Sequence, residues 1–351
     1  MTDTRIVPVK ASGCYDITIG SGILPQVGEI LKGIRRACKT VIVTDSNVDK
    51  LYSDTVKASL ENAGFSTEIY VFPAGEKSKN SENFIDILEF LASNEITRSD
   101  LVVALGGGVV GDITGFAASC YLRGIDFVQI PTTLLSAVDS SVGGKTAIDL
   151  KAGKNLAGAF YQPIAVICDT DTFKTLPEKE MSCGYAEVIK YGILFDREFF
   201  DSLLKRDLHI NEIVEKSVIF KRDIVEKDEF DKGERMLLNL GHTAAHGIEK
   251  ISGYTVTHGE AVAVGMVIAA RISENLGLCE KGLSREVEKA ISMYNLPSEY
   301  DIKSNELYEA SLSDKKRSGG KITLVLPEKI GKCALCEVNV EEVASLFADA
   351  L

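Results

Sequence analysis

Three of the four histidines in this chain fall inside one short window, Gly241-His242-Thr243-Ala244-Ala245-His246 through Thr257-His258-Gly259-Glu260. His242 and His246 stand four apart and would share one face of a helix; His258 would return from the next segment. Imidazoles this concentrated suit a metal or proton-transfer site. Spacing alone leaves open which two would bind a metal. Upstream, Ala186-Glu187-Val188-Ile189-Lys190 places an acid and a lysine three apart on one face of an otherwise apolar helix. An unpaired charge would be costly there. Glu187 with two of the histidines would form a His2Glu site, the kind that keeps a coordination position open for substrate or water.

Cations and glycines gather around further motifs. Arg235-Met236-Leu237-Leu238-Asn239 leads into His242, Lys221 precedes it, and Asp314-Lys315-Lys316 comes late in the chain. Arginine and lysine are natural clamps for phosphate or carboxylate. Leu105-Gly106-Gly107-Gly108-Val109-Val110-Gly111-Asp112 follows a predicted strand and opens a predicted helix, so its backbone could approach a pyrophosphate. It is not the usual GxGxxG pattern, and close packing would also explain it. Asp45, in Thr44-Asp45-Ser46-Asn47, could accept hydrogen bonds from ribose hydroxyls or simply cap a helix. The stretch Pro131-Thr132-Thr133-Leu134-Leu135, Asp139-Ser140-Ser141-Val142-Gly143-Gly144-Lys145 and Gly153-Lys154-Asn155 reads as a loop suited to an anion.

The chain has 39 Lys+Arg against 51 Asp+Glu, a formal charge of -12. That argues against nucleic acid or an anionic membrane as the main partner and requires local cations for any anionic substrate. The N-terminus lacks a basic region followed by an apolar stretch, and no run approaches bilayer length, so a cytoplasmic protein is expected. The eight cysteines are scattered, as reduced core residues would be. Cys333-x-x-Cys336 has no second pair to complete a zinc site and reads as structural.

The elements that must position these residues change character along the chain. Predicted strands at 40–44, 66–72, 100–105, 127–130 and 164–168 alternate with helical stretches at 49–62 and 81–94. This is the pattern of a parallel sheet with helices on both faces. After about residue 172 the sequence predicts helices at 178–194, 197–204, 211–226, 237–251, 260–276 and 284–294, with a short strand pair near 321–338. The expected organisation is an α/β domain over 1–172, with a Rossmann-like, mostly parallel sheet, and an α-helical domain over 173–351.

The ordered motifs ALGGGVVGD, PTTLL, VDSSVGGK, GKN, AEVIKYG, RMLLNLGHT, HGEAVAVGM and DKK resemble those of the 3-dehydroquinate synthases, sugar-phosphate cyclases of the shikimate pathway. The resemblance runs from Asp45 to about Lys316. It implies Glu187, His242 and His258 as ligands of zinc or cobalt, with His246 as a nearby polar or proton-handling residue. Substrate contacts are implied for Asp139, Lys145, Asn155, Lys190, Lys221, Arg235, Asn239 and Lys315 or Lys316, and Arg123 is implied to reach the neighbouring copy's phosphate site in a homodimer. NAD contacts are implied for Asp45, Asn47, Gly75, Glu76, Lys79, Gly107, Gly108, Val109, Gly111, Asp112, Thr132, Thr133, Leu135, Lys154 and Thr175, with Asp139 and Lys145 close by.

The implied substrate is 3-deoxy-D-arabino-heptulosonate 7-phosphate. Transient oxidation at C5 by NAD, phosphate elimination, re-reduction, ring opening and an intramolecular aldol reaction would give 3-dehydroquinate, a net redox-neutral lyase reaction. Two stretches depart from the family's habit: Ala244, Ala245 and Gly247 replace an aromatic, a glycine and an alanine, and Asp149 stands where asparagine is usual. Competing readings are another sugar-phosphate cyclase such as an inosose synthase, a glycerol-dehydrogenase-type alcohol dehydrogenase, and a catalytically dead NAD-binding regulator. The asparagine of LNLGHT, the arginine four residues before it and VDSSVGGK favour the 3-dehydroquinate synthases.

Overall fold

The computed structural model describes residues 4–312 and 320–351; Lys315 and Lys316 lie outside the described residues. The chain divides into two compact units, one of residues 1–176 with 210–230, the other of 177–209 with 231–351.

In the first unit the strands are β1 (Arg5–Lys10), β2 (Cys14–Gly20), β3 (Lys39–Asp45), β4 (Ser66–Phe72), β5 (Leu101–Gly106), β6 (Phe127–Pro131), β7 (Lys145–Leu150), β8 (Gly153–Phe160) and β9 (Ala165–Asp169). Seven of them form one sheet in the order β1-β2-β9-β6-β5-β3-β4, parallel except for the β1–β2 hairpin. β5, β6 and β9 are buried at every position, which is why they read as unbroken apolar runs rather than alternating ones.

Side-chain alternation along the strands feeds two cores. Ile42, Val103 and Leu105 meet Val27 and Leu31 of α1 (Val27–Lys32) and Val56 and Leu60 of α2 (Asp54–Asn62). Val41, Val43, Val102 and Ala104 meet Ile87 and Leu91 of α3 (Ser81–Ser93) and Val110, Ile113 and Ala117 of α4 (Gly108–Cys120).

The second unit holds α5 (Glu178–Phe195) and α6 (Arg197–Lys205); α7 (Ile210–Lys227) belongs to the first. Then follow α8 (His242–Ile251), α9 (His258–Asn275), α10 (Leu283–Met293), α11 (Ser304–Leu312), the antiparallel hairpin β10 (Lys321–Lys329) and β11 (Lys332–Asn339), and α12 (Val343–Ala350). Among the described residues no helix is long and apolar enough to cross a membrane. All eight cysteines are free; Cys333 points its thiol at the Ile193 carbonyl, 3.7 Å away.

Three local expectations need correction. The end of the stretch read as a loop, from Lys145 to Asn155, lies in the β7–β8 hairpin. The helix expected over 237–251 is broken: a 3-10 turn at Glu234–Asn239 is followed by Gly241 at φ +79°, and α8 starts only at His242. Helix α7, expected in the helical domain, instead clusters with the first unit and covers the edge strand β1. There Arg5 pairs with Glu215 and with Glu212 at 3.5 Å, and Glu226 accepts the Lys10 N–H at 2.7 Å. Covering an edge strand removes its unpaired backbone groups from solvent.

Glycines set how closely the helices of the second unit cross. A Cβ at Gly265 of α9 would stand 2.0 Å from the Gly241 carbonyl oxygen, and one at Gly259 would stand 2.5 Å from the Cys183 Cα. Gly247 is crowded in the same way by Ser311 and Leu307 of α11, so its departure from the alanine usual in the family accompanies a close helix contact. Because the obstacle at Gly265 is backbone, Gly265→Ala is expected to destabilise the fold by about 1–3 kcal/mol through overpacking. Urea unfolding measures this as a lower midpoint, and an unchanged midpoint would show that α9 tolerates a wider crossing.

Candidate functional site

Glu187 and Lys190 sit on the buried face of α5 with 0% and 2% of their surface exposed. They form an ion pair through Glu187 Oε2. The other carboxylate oxygen, Oε1, faces His258 Nε2 at 3.5 Å and His242 Nε2 at 3.9 Å. The three residues offer ligand atoms that all lie within 4.8 Å of one another.

One carboxylate and two imidazoles are a familiar donor set for a divalent transition metal. Two ligands each about 2.0–2.1 Å from a tetrahedral ion stand about 3.4 Å apart, so the spacings of Glu187 to His258 and His242 need to contract only slightly. The donor set and its geometry therefore fit a zinc- or cobalt-like ion. His246, on the same helix as His242, is exposed and meets it edge-on, with ring centroids 5.7 Å apart.

Local sequence explains how each ligand is delivered. His242 is the first residue of α8, after the left-handed Gly241, and its Nδ1 lies 3.1 Å from the Leu240 carbonyl. A carbonyl can only accept, so Nδ1 carries the proton and Nε2 turns its lone pair toward Glu187. His258 opens α9 inside a capping box. Thr257 Oγ1 accepts the Glu260 N–H, and Glu260 Oε2 accepts the Thr257 N–H at 2.8 Å.

Charge separates the two imidazoles. Burial, then the Lys190 ammonium, hold His242 down to about 3. For His258 the surrounding protein disfavours the charged form, but the carboxylates of Glu187 and Glu249 override it and lift the ring to about 9. Arg235, in the turn before α8, is buried, whereas Asn239 at the end of that turn is exposed.

In the first unit, the sheet order brings the other motifs to one edge. The chain goes from β3 outward to β4, then returns to place β5 on the opposite side of β3. The C-terminal ends of β3 and β5 therefore flank a topological switch point, the place where open α/β sheets bind ligands. Asp45 closes β3, where it accepts the Asn47 and Val48 N–H groups at 2.8 and 3.1 Å. Gly107 and Gly108 follow β5, and Thr132 and Thr133 follow its neighbour β6.

No side chain caps the N-terminus of α4, which leaves its amide edge available to an anion. The glycines differ in role. A Cβ at Gly111 would meet Gln129 at 2.8 Å, and one at Gly106 would meet Val110 at 2.5 Å, so those two serve packing. At Gly75, φ is +111° with nothing within 4 Å of a Cβ. Leu135 begins the turn leading to Asp139. These features fit a dinucleotide.

Neighbouring polar groups are paired with one another. Lys79, 5% exposed, donates to Asp112 and to Asn155 Oδ1 at 2.6 Å. Burial opposes its charge, and Asp112 outweighs burial and raises its pKa. Asn155 sits at φ +56°, its N–H bonded to Asp149 Oδ1 at 2.8 Å; the unusual acid at 149 thus holds the β7–β8 turn. Lys154 lies 3.7 Å from Glu76. Lys221 of α7 donates to both the carbonyl and Oδ1 of Asp139, each at 2.6 Å. Thr175 meets Tyr52 OH at 2.6 Å. Lys145 starts β7 with its side chain exposed, and Arg123 lies in an exposed turn where Leu122, Arg123 and Gly124 all have positive φ.

The residue that sequence reasoning missed is Glu249. It is 6% exposed on α8, with Oε1 3.6 Å from His258 Nδ1. The signal was present: residue 249 stands seven after His242 and three after His246, hence on a shared helical face.

Residues 69–183 match the 3-dehydroquinate synthase N-terminal family and residues 184–317 its C-terminal family. The 3-dehydroquinate synthase of Clostridium kluyveri is 44% identical over 337 residues, 94% of each chain. That of Enterococcus faecalis is 42% identical over 341 residues, 95% of each. Among solved structures, 2-deoxy-scyllo-inosose synthase complexed with carbaglucose-6-phosphate, NAD+ and Co2+ shares the fold with a TM-score of 0.87 at 24% identity, covering 99% of this chain and 100% of that one. A 2-epi-5-epi-valiolone synthase from Streptomyces hygroscopicus with NAD+ and Zn2+ bound gives 0.86 at 24% identity, covering 97% and 98%. A probable glycerol dehydrogenase from Sinorhizobium meliloti gives 0.66 at 14%, covering 93% of each. With both family halves matched in order and relatives above 40% identity along nearly the whole length, the chain belongs to the 3-dehydroquinate synthase family.

Proposed function

We propose that this chain converts 3-deoxy-D-arabino-heptulosonate 7-phosphate to 3-dehydroquinate and phosphate, using NAD and a divalent metal. The observation that carries the reading beyond family membership is the set of buried cations. In a chain of net charge -12, Lys79, Lys190, Lys221 and Arg235 are buried, and buried lysine or arginine is rare unless it has a partner or a task. Lys79, Lys190 and Lys221 are already paired with Asp112, Glu187 and Asp139, and a substrate bearing a carboxylate and a phosphate gives Lys190, Lys221 and Arg235 further anionic oxygens to hold, which a simple polyol does not. Bound NAD supplies a reversible hydride acceptor, and a bound zinc or cobalt ion supplies a Lewis acid.

Glu187, His242 and His258 hold the metal, and Lys190 balances the Glu187 charge. Asp45 and Asn47 take the ribose hydroxyls of NAD. The amide edge of α4 from Gly107 to Val109, with Thr132 and Thr133, takes the pyrophosphate. Asp139, Lys145, Asn155, Lys221, Arg235 and Asn239 orient the substrate's oxygens, and His246, exposed beside His242, exchanges protons with solvent. Arg123, on its exposed left-handed turn, completes the phosphate site of a second copy in a homodimer. We place the protein in the cytoplasm.

Purified protein with NAD and Zn2+ or Co2+ is expected to release phosphate from the heptulosonate phosphate without accumulating NADH. Stoichiometric NADH with a polyol and no phosphate release would favour a dehydrogenase instead. His258→Ala is expected to reduce metal affinity strongly, whereas His246→Ala mainly slows turnover; equal metal loss from both, measured by equilibrium dialysis, would mean that the ligands are misassigned. Lys221→Met is expected to lower kcat/KM by roughly 10–100-fold, the worth of a charge-assisted hydrogen bond of about 1.5–3 kcal/mol, with metal content unchanged. Steady-state kinetics on metal-replete protein decide it.

A further inference from the structure

Four carboxylates are buried among the described residues: Asp100, Asp169, Glu187 and Glu249. Two have structural work. Asp169 accepts the Gly22, Leu24 and Asp171 N–H groups, and Asp100 accepts those of Lys39 and Thr97. Glu187 belongs to the ligand triad. Glu249 lies on α8, two turns after His242, and turns Oε1 toward the ring nitrogen of His258 that faces away from Glu187.

His258 is thus held between two carboxylates, Nε2 toward Glu187 at 3.5 Å and Nδ1 toward Glu249 at 3.6 Å. The partner ligand is arranged in the same sense, with Nδ1 against the Leu240 carbonyl and Nε2 toward Glu187. Both rings therefore present Nε2 to one oxygen, and each has an acceptor behind it. A metal-binding histidine commonly has its second nitrogen fixed by such an acceptor, which sets both tautomer and ring plane.

We infer that Glu249 is a positioning residue for the metal centre, acting through His258 by holding its proton on Nδ1 and its lone pair on Nε2. This rests on the metal assignment proposed above. The capping box at Thr257 and Glu260 fixes the His258 backbone but leaves the ring free to rotate about its side-chain bonds. Glu249 supplies the missing constraint from another helix.

The test is Co2+ binding, followed by titration and by visible absorption, on wild type, Glu249→Leu, Glu249→Gln and His258→Ala, each with its Tm. Glu249→Leu should weaken Co2+ binding by roughly 10–100-fold and alter the visible spectrum while the protein remains folded. Glu249→Gln, which keeps an acceptor oxygen, should recover most of that loss. If Leu lowers Tm but leaves Co2+ affinity and spectrum as in wild type, Glu249 is only structural and the inference falls. If His258→Ala also leaves Co2+ binding unchanged, the metal assignment falls with it. Loss with His258→Ala but not with Glu249→Leu overturns the inference alone.

Discussion

Glu187 places a carboxylate in the interior of the second unit with none of its surface exposed, and the neighbourhood is arranged around that cost. An isolated buried carboxylate is several kcal/mol unfavourable even after relaxation. Lys190, one helical turn on, compensates one oxygen, and His242 and His258 converge on the other. Replacing such a pair by apolar groups is often neutral or stabilising, so its presence is poor evidence for stability and better evidence for a site. The helices then have to deliver two imidazoles to one oxygen, and the backbone features beside them serve that delivery. Gly241 breaks the chain just before His242, the Thr257–Glu260 box starts α9 at His258, and Gly259 and Gly265 let α9 lie against its neighbours.

The dinucleotide edge answers a different constraint. Parallel strands buried on both faces offer a ligand only their ends, and β3 and β5 diverge at a switch point where Asp45 and the Gly107–Gly108 turn come side by side. No strongly basic surface is needed, because peptide N–H groups at a helix N-terminus supply the positive end. This reconciles an acidic chain with two anionic ligands: attraction is local, from amides and a few buried cations.

Much of this was legible in the sequence for physical reasons. Five of the six parallel strands lie within a residue of where the sequence predicts them, β2 being the one not predicted. In β5, β6 and β9 double-sided burial writes itself as near-continuous apolar runs, whereas the half-exposed edge strand β4 shows itself by its β-branched and aromatic residues. Among the buried lysines and arginines of the described residues, Lys190 stands out in the sequence as a charge within an apolar helix and Lys221 and Arg235 as cations ahead of the histidine window, whereas Lys79, in a polar run, is named only through the family resemblance. Features that depend on distant partners were not legible. Helix α7 reads like its helical neighbours, and long-range contacts assign it to the first unit: Arg5 with Glu212 and Glu215, Glu226 with the Lys10 N–H, and Lys221 with Asp139. The β7–β8 hairpin hid behind glycines that suggested a loop. Glu249 escaped because an acid beside Lys250 looks like ordinary helix surface until α9 is laid across it.

Charge counting shows why two acids near one lysine is a workable arrangement. Glu187 and Glu249 bring two negative charges and Lys190 one positive; His258, with its raised pKa, carries a second positive charge when no metal is bound, so a cation that displaces its proton meets side chains that are net negative. A divalent ion added to them leaves a net positive centre, one that favours oxygens carrying developing negative charge and repels further protons from the imidazoles. Were Glu249 absent, the same ion would leave the centre more positive by one unit, but the His258 ring would lose the acceptor that aims it. The buried second acid therefore exchanges electrostatic strength for orientation, and it does so at the one ligand whose outer nitrogen has a carboxylate rather than a backbone carbonyl behind it.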